Sequence, residues 1–377
     1  MKTPIRKKGS GGLYVLGSLY PQVTGGMEIF NYYFLNQQLQ NNRDSIYYLG
    51  ENRAGNQNGA LVFFKRRRPT RVFYPFQFFF AVWKLRKMLD YAYISYAEQS
   101  WVICYATSLT LRFFNIPYII TIHWGKEPDW RFSYPFVSYF RHAHAVIGVS
   151  EPICSAFKKV IPEKEFQYIP PLIPFVRNPG TRSASKNKLG YQNEEKILLF
   201  VGSLKAMKNP DKIIEAFRLV DTEFLDSHQI RLLFAGKGEM ENEITERVER
   251  YRLGKYIRFD GLVSREMIPE YYNAADVYII SSDYEGTSVS LLEAMFNRLP
   301  IIASDAPGIN GMLIHEYNAL LYETADTEHL AETIKRIFSD PVMADRLAEN
   351  ARADFQKKYS YDSMMEKYQS VFSSVNP

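Results

Sequence analysis

Cysteine is scarce in this chain, long apolar runs are absent, and each shortage excludes a class of protein. Cys104 and Cys154 are the only two cysteines among 377 residues, which leaves no disulfide framework and no metal-ligand spacing. Such cysteine usage is typical of a reducing, cytoplasmic compartment. No apolar run reaches the roughly 18 residues of a membrane-spanning helix, and no secretory n-region, h-region and cleavage site is recognisable. We therefore expect a cytoplasmic protein that is soluble or peripheral on the inner face of the cell membrane.

Charge is distributed unevenly along the chain, although the net charge is only +5. Residues 1–178 carry 22 Lys and Arg against 10 Asp and Glu, whereas the remainder carries 24 against 31. Hydrophobic residues make up 46%, which argues against disorder, and the length suits two α/β domains with separate cores. We expect a basic first domain and an acidic second one.

The most informative segment is Ser281–Gly308, which reads as a strand end, a loop and an amphipathic helix. Asp276–Ile280 and Leu299–Ala303 flank its centre as short apolar runs of the kind that form buried parallel strands. Loops at the carboxyl ends of such strands bind ligands, and a helix N-terminus favours a phosphate. Glu285 before the helix and Glu293 inside it would then hold neutral hydroxyls on either side of that phosphate, which is the layout of a nucleotide sugar.

Glu293 has a second interpretation. Ser290-x-x-Glu293 also fits a capping box, in which Glu293 only satisfies backbone donors at a helix start. Glu285 has no capping role in that register, and its surroundings form a wider pattern. The segment resembles the E-x7-E motif of the retaining glycosyltransferases with the GT-B fold, the family 4 group of sugar-nucleotide-dependent enzymes.

Further segments follow the order of that family. Leu198–Pro210 resembles its strand and phosphate loop, written G-R-L-x-x-x-K-G, in which Lys208 matches the lysine. Ser203 stands where the family usually has arginine, so either Lys205 replaces that cation or the loop relies on Lys208 and helix dipoles. The resemblance also places the turn at Gly261 near the nucleobase.

The amino-terminal half is more diverged from the family pattern. Leu13–Leu16 predicts the first strand, and Gly25 and Gly26 predict a glycine loop that lets backbone N–H groups approach a ligand closely. An ordinary turn is the alternative for this glycine pair. Ile119–Ile122 predicts a strand that ends in His123, a point at which family members often place a histidine beside the donor sugar.

The resemblance implies transfer of a glycosyl group, with retention, from a UDP-, GDP- or ADP-sugar to a hydroxyl of a glycan or lipid-linked acceptor. Lys208 would stabilise the departing diphosphate, together with the amides at the helix start. Glu285 would hold hydroxyls of the donor sugar and Glu293 the ribose diol, while His123 would line the pocket from the opposite domain. The helix-start residues expected to bind the donor are Gly286, Thr287, Ser288 and Val289.

Metal chemistry is not expected. No two aspartates are spaced Asp-x-Asp, so the metal-binding signature of the other main glycosyltransferase fold is absent. We therefore expect no metal and no organic cofactor, with the nucleoside diphosphate sugar acting as a substrate.

The resemblance implies the GT-B fold, an α/β architecture in which two Rossmann-like domains face a cleft. Residues 1–178 would form an acceptor-binding domain, residues 179–358 a nucleotide-sugar-binding domain, and residues 359–377 a terminal helix that crosses back to the first domain. Between residues 177 and 188, proline, glycine and serine break the periodicity of a polar stretch, which predicts the domain boundary there.

Lys65–Lys87 combines cations with aromatic residues in the half that would receive the acceptor. Four consecutive cations begin at Lys65, and seven aromatic residues follow within Phe73–Trp83. No helix-turn-helix, RRM or zinc pattern accompanies them, so nucleic acid is not expected as a partner. An anionic membrane surface fits better, because aromatic residues and Lys or Arg together favour the interface. The alternative is a helix whose aromatic residues pack in the domain core while the cations stay solvated.

Two other functions remain open. A sugar-nucleotide epimerase or a glycogen-phosphorylase-like enzyme has the same fold, but the E-x7-E match and the lack of a pyridoxal-lysine signature count against both. A non-catalytic, sugar-nucleotide-binding subunit of a membrane assembly stays open because Ser203 replaces the usual arginine. Bacterial capsule, lipopolysaccharide or exopolysaccharide assembly is the process expected by analogy.

Overall fold

The computed structural model describes residues 11–16, 26–41, 45–50, 61–65, 74–96, 101–123, 134–171, 173 and 175–375. The chain divides into two compact units, one formed by residues 1–174 together with 361–377 and the other by residues 175–360. The polar stretch expected to hold the domain boundary forms helix α6 (Arg182–Lys188), which lies within the second unit. Its polar residues are not linker residues, since Lys186 is buried with its Nζ 2.8 Å from Asp276 Oδ2.

The first unit is built on a parallel sheet. Its strands within the described residues are β1 (Gly11–Val15), β2 (Ser45–Gly50), β3 (Leu61–Lys65), β4 (Tyr91–Tyr96), β5 (Tyr118–Ile122), β6 (Ala145–Gly148) and β7 (Phe166–Tyr168). They lie in the order β3-β2-β1-β4-β5-β6-β7, and each adjacent pair is parallel. Its helices are α1 (Gly26–Asn41), α2 (Tyr74–Leu85), α3 (Trp101–Phe113), α4 (Tyr134–Arg141), α5 (Glu151–Val160) and the terminal α14 (Tyr361–Val375).

Helix α14 packs in the core of the first unit although it is the last element of the chain. Its buried residues, Met364, Met365, Tyr368 and Val371, join a cluster with Phe30 and Phe34 of α1 and Tyr93 of β4. The Tyr368 ring lies 5.2 Å from the Phe34 ring, centroid to centroid. A terminal helix that returns to the first domain is therefore present, as the sequence predicts.

The second unit repeats the parallel architecture with the strand order of a doubly wound sheet. Its strands are β8 (Lys196–Val201), β9 (Ile230–Ala235), β10 (Ile257–Gly261), β11 (Val277–Ile280), β12 (Ile301–Ser304) and β13 (Leu320–Tyr322). The strands lie in the order β10-β9-β8-β11-β12-β13. Successive strands are added on one side of β8 up to β10 and on its other side from β11 onwards, so the switch point lies between β8 and β11. Open α/β sheets bind ligands outside the carboxyl ends of the strands at such a switch point.

Helices pack on the second sheet and bury its central strands along nearly their whole length. The helices are α6, α7 (Pro210–Leu219), α8 (Thr222–Ser227), α9 (Glu241–Arg250), α10 (Ile268–Ala274), α11 (Val289–Phe296), α12 (Thr327–Ser339) and α13 (Pro341–Lys358). Helix α12 packs on α7, and α11 packs on α13. Ile213, Phe217, Leu330 and Ile334 repeat at helical spacing and enter one core with the β8 and β9 side chains.

Candidate active site

Two loops meet at the switch point of the second unit. One runs from the end of β8 to Asn209, and the other follows β11 from Ser281; β8 and β11 are parallel neighbours, so both loops leave the same edge of the sheet. The Asn209 amide donates to Ser281 O at 3.0 Å and to Asp283 Oδ1 at 2.6 Å. In return the Ser281 hydroxyl donates to Lys208 O at 2.6 Å. These bonds fix Lys208 beside the segment that carries Glu285.

Lys208 and Glu285 form an ion pair between the two loops, Nζ to Oε1. The Ser282 hydroxyl donates to the same carboxylate oxygen at 2.7 Å, and Glu285 is buried. The carboxylate is thus held by a cation and a hydroxyl in a site with little solvent, where charge interactions are screened less than at the surface. The structure brings these two predicted site residues into direct contact.

A left-handed turn at Asn209 directs Lys208 towards this site. Asn209 has φ 48° and ψ 46°, and it precedes Pro210, the first residue of α7. Asparagine tolerates this conformation better than most residues, and proline suits the first position of a helix. The short 3₁₀ turn Ala206–Lys208 before it ends in that backbone reversal.

The loop after β12 closes on Glu285 from another side. The Glu285 N–H donates to Pro307 O at 3.0 Å. Gly308 has φ +86°, and a Cβ there would lie 1.9 Å from Glu285 O. Glycine is required at this position, because both the backbone conformation and the close approach exclude a side chain.

The N-cap of helix α11 is Ser288, not Ser290, the serine of the predicted capping box. The Ser288 hydroxyl accepts from Leu291 N–H at 3.4 Å, whereas Ser290 lies inside the helix and its hydroxyl accepts from Tyr278 OH at 2.8 Å. The capping-box interpretation is therefore wrong. With Ser288 as the N-cap, Glu293 lies in the second turn, too far along to satisfy donors at the helix start.

Glu293 instead forms a buried ion pair with Arg265, which the sequence analysis did not identify. Burial raises the pKa of the Glu293 carboxyl above its ordinary value, and Arg265 and a hydrogen bond from Tyr272 oppose that rise. Arg265 follows β10, 28 residues before its partner. No local pattern marks it, since the contact exists only after β10 and α11 are in place.

The remaining predicted residues of the second unit lie in loops at this edge or beside it. Ser203 is half-buried and Lys205 is exposed. A Cβ at Gly236 would lie 1.8 Å from Gly202 O, so the glycines after β9 allow the β8 loop to approach. Gly261 ends β10 with φ +66°, beside the Lys237 side chain. Gly286, Thr287, Ser288 and Val289 form the end of the β11 loop and the first residue of α11.

The first unit contains His123 at the carboxyl end of β5. The ring centroid lies 4.8 Å from that of Phe30, and Nε2 is buried with no hydrogen-bond partner among the described residues. Burial lowers the pKa of His123 to about 3, so the ring is neutral near pH 7. Gly26 begins α1, and Gly25 lies outside the described residues.

Residues 181–354, which make up nearly all of the second unit, match the sequence model of the family described as Glycosyl transferases group 1. The second unit is thus similar to a glycosyl transferases group 1 domain along nearly its whole length. The matched residues include the Lys208–Glu285 pair and the Arg265–Glu293 pair.

Curated relatives carry similar names. An uncharacterized glycosyltransferase of Methanocaldococcus jannaschii is 28% identical over 187 residues, 50% of this chain and 47% of that protein. A putative teichuronic acid biosynthesis glycosyltransferase of Bacillus subtilis, TuaC, is 25% identical over 272 residues, 68% of this chain and 65% of that protein. The chain spans about half the length of the curated relatives it matches.

Solved structures extend the likeness to the whole chain. Anabaena HepE in complex with UDP superposes with a TM-score of 0.76 over 97% of this chain and 100% of that chain, at 16% identity. HepE in complex with UDP-glucose gives a TM-score of 0.75 over 97% of this chain and 99% of that chain, at 17% identity. The predicted GT-B fold is confirmed for both units.

Proposed function

We propose that this protein is a retaining glycosyltransferase of the E-x7-E type, which moves a sugar from a nucleoside diphosphate sugar to an acceptor hydroxyl. The observation that carries the proposal is the contact between Lys208 and Glu285 at the switch point of the second unit. A cation from one loop and a carboxylate from the next meet where α/β sheets bind nucleotides. A diphosphate and a sugar hydroxyl are the ligand groups that such a pair can bind.

Donor binding would exchange the partners of this pair. A diphosphate carries more negative charge than the Glu285 carboxylate, so it competes for the Lys208 ammonium group. Glu285 is then free to accept hydrogen bonds from sugar hydroxyls, while the Ser282 hydroxyl keeps the carboxylate oriented. The start of α11, from Gly286 to Val289, adds the positive end of a helix dipole to the phosphate site.

Transfer then breaks the bond between the anomeric carbon and the phosphate oxygen. The acceptor oxygen forms a bond to the same carbon, and its proton passes to the departing phosphate. We assign this attack to the face that the phosphate leaves, which retains the anomeric configuration. Lys208 would stabilise the charge that develops on the diphosphate, a task in which a preorganised donor contributes about 10²- to 10³-fold in rate.

The other predicted residues have supporting roles in this proposal. Glu293, held by Arg265, would bind the ribose diol, and the Gly261 turn would lie by the nucleobase. The neutral ring of His123 would contact the donor sugar. Three further donor contacts remain predictions from the resemblance: Ser203, Lys205 and the glycine pair that begins at Gly25.

Substrate class and process follow from the relatives, as proposals. HepE binds UDP and UDP-glucose in its solved complexes, so UDP-sugars are the first donors to test. TuaC is named for teichuronic acid biosynthesis, which supports a glycan or lipid-linked acceptor in bacterial cell-surface polysaccharide assembly. We also propose that no metal is required and that turnover survives EDTA. A complete loss restored by manganese would contradict that part.

The test is a panel of UDP-, GDP- and ADP-sugars, screened by thermal shift and then by turnover. A donor that binds the folded state raises its melting temperature. Lys208→Ala should lower turnover of that donor by about 10²- to 10³-fold. The matched control is Lys212→Ala, which removes a cation from the first turn of α7. It should leave the rate unchanged. Wild-type turnover by Lys208→Ala would overturn the phosphate-loop assignment.

Ser203 favours one alternative, a non-catalytic subunit that binds sugar nucleotides. With serine in place of the family's arginine, the diphosphate has one cation fewer in this loop. A thermal shift with a donor, combined with no turnover on any acceptor, would support that alternative. Release of a free epimerised sugar would instead support an epimerase.

A further inference from the structure

Helix α2 presents aromatic side chains on two opposite faces. Phe78, Val82 and Leu85 are buried in the core of the first unit. Phe76 is 63% exposed, Phe80 62% and Trp83 49%. The core therefore takes only part of this apolar helix, and large rings are left in water.

Helix α3 extends the exposed apolar surface. Phe113 is 72% exposed, and Leu109 is exposed one turn before it. The Phe79 ring of α2 lies 6.1 Å from the Phe113 ring and 5.3 Å from the Phe114 ring, so the two helices share one surface. We call this surface the aromatic face and define it as Phe76, Phe79, Phe80, Trp83, Leu109 and Phe113.

Helices α2 and α3 contribute cations to the aromatic face and contain no carboxylate of their own. Lys84 and Lys87 are exposed at the end of α2, and Arg112 is exposed beside Phe113. The Arg86 guanidinium lies 5.2 Å from the centre of the Trp83 ring. Neither residues 74–89 nor residues 99–122 contain an Asp or a Glu. The charged side chains that α2 and α3 add to this apolar face are therefore all cationic.

Exposed aromatic rings beside cations favour a lipid surface over a second copy of this chain as the partner. A two-fold contact between two copies would bring these cations together, which disfavours self-association. Exposed Phe and Trp beside Lys and Arg suit a bilayer interface, where rings enter the headgroup region and cations reach anionic lipids. No helix among the described residues is long and apolar enough to cross a bilayer, so such contact would be peripheral.

We propose that the aromatic face docks on the interface of an anionic lipid bilayer. The sequence-based expectation covered the whole stretch Lys65–Lys87, cations and aromatic residues together, of which residues 66–73 lie outside the described residues. The structure places the exposed rings of that stretch on the outer side of α2 and adds α3, which the sequence did not implicate. Docking does not depend on the proposed glycosyl transfer, although it would bring the protein to acceptors that carry a lipid.

The test is co-sedimentation of the full chain with phosphatidylcholine vesicles and with vesicles that also contain phosphatidylglycerol. The wild type should bind only the anionic vesicles. Phe76→Ser with Phe80→Ser should weaken binding at least about tenfold at low and at high salt, because it removes interfacial area. Lys84→Gln with Lys87→Gln should weaken it about 25-fold at low salt, about fivefold for each lysine, and much less at high salt.

Two controls separate docking from damage to the fold. Val176→Ser with Val342→Ser removes exposed apolar side chains from the second unit and should bind like the wild type. A blue shift in tryptophan fluorescence on adding anionic vesicles should disappear in Trp83→Phe. The proposal fails if the wild type ignores anionic vesicles at low salt or if the serine variants bind normally. It also fails if the wild type is a dimer that Phe76→Ser with Phe80→Ser converts to a monomer.

Discussion

At the residue scale, Lys208 and Glu285 neutralise each other in a largely buried site. An unpaired charge there would be costly, so the pairing favours the observed arrangement of both loops. In the proposed function the same pairing would set a condition on ligands, since a donor would bind Lys208 only by displacing the Glu285 carboxylate. Uncharged sugars could not displace it, whereas diphosphates could. Selectivity for a charged donor would then follow from this single contact.

Glu293 combines a structural contact with a proposed ligand contact, and a double-mutant cycle separates them. Glu293→Gln alone should lower the free energy of unfolding by up to about 3–5 kcal/mol, because it removes the counter-charge of a largely buried Arg265. Adding Arg265→Met should restore much of that loss. Nucleoside diphosphate affinity should stay weak in the double variant. Recovery of affinity together with stability would make Glu293 purely structural.

His123 predicts how the stability of the protein depends on pH. Its pKa is about 3 in the folded state against an ordinary value of 6.5, because burial disfavours the charged ring. Below pH 6.5 the unfolded state binds more protons, so stability falls as pH drops towards 3, by up to about 1.4 kcal/mol per pH unit. Urea unfolding should show a shallower loss for His123→Gln than for the wild type between about pH 7.5 and about pH 5.5. Identical slopes would contradict the buried, neutral assignment.

At the element scale, the turn after β12 supports the loop after β11. Gly308→Ala should lower stability by about 1–3 kcal/mol, since φ +86° is strained for alanine and the new Cβ meets Glu285 O. The Glu285 segment must shift to relieve this contact, so turnover should fall as well. The measurements are thermal unfolding and donor turnover.

Gly311 provides the matched control in the same turn region. A Cβ there has no heavy atom within 4 Å, so Gly311→Ala should stay within about 0.5 kcal/mol of the wild type. Equal effects from the two substitutions would show that loss of glycine freedom, not the contact with Glu285, determines the result.

Local sequence patterns predicted individual strands and loops correctly. They did not predict contacts between residues that are distant in sequence. Apolar, β-branched runs identified β11 and β12, and the motif order placed Lys208 near Glu285. The capping-box interpretation failed because two serines fit the same start, and only the backbone shows that Ser288 begins α11. Arg265 was missed because its partner lies in another element.

Helix α2 shows a second limit of local patterns. Its residues are apolar on almost every side, so periodicity could not decide between core packing and exposure. The structure contains both, with Phe78 in the core and Phe80 in solvent. One core has room for only one side of such a helix, and the sequence does not state which side the neighbouring α3 covers.

At the scale of the whole molecule, the first unit is discontinuous in sequence, because its last helix follows the second unit along the chain. The first unit is made of two separate parts of the chain, and residues 175–360 lie between them as a unit with its own core. Completion of the first unit therefore waits for the last helix to be synthesised. During synthesis its sheet would lack the side chains of α14 that join the aromatic cluster.

Tyr368 and Phe355 test this division, because they lie close in sequence and belong to different units. Tyr368 is fully buried against Phe30 and Phe34, so Tyr368→Ala should destabilise the first unit by about 3–5 kcal/mol. Hydrogen exchange should then accelerate in α1 and β4 and stay unchanged in β8 and β11. Phe355→Ala, which removes ring contacts to Phe175 and Phe296, should give the opposite pattern. Faster exchange in both units after either substitution would mean that they unfold as one, and the separate cores would not be independent.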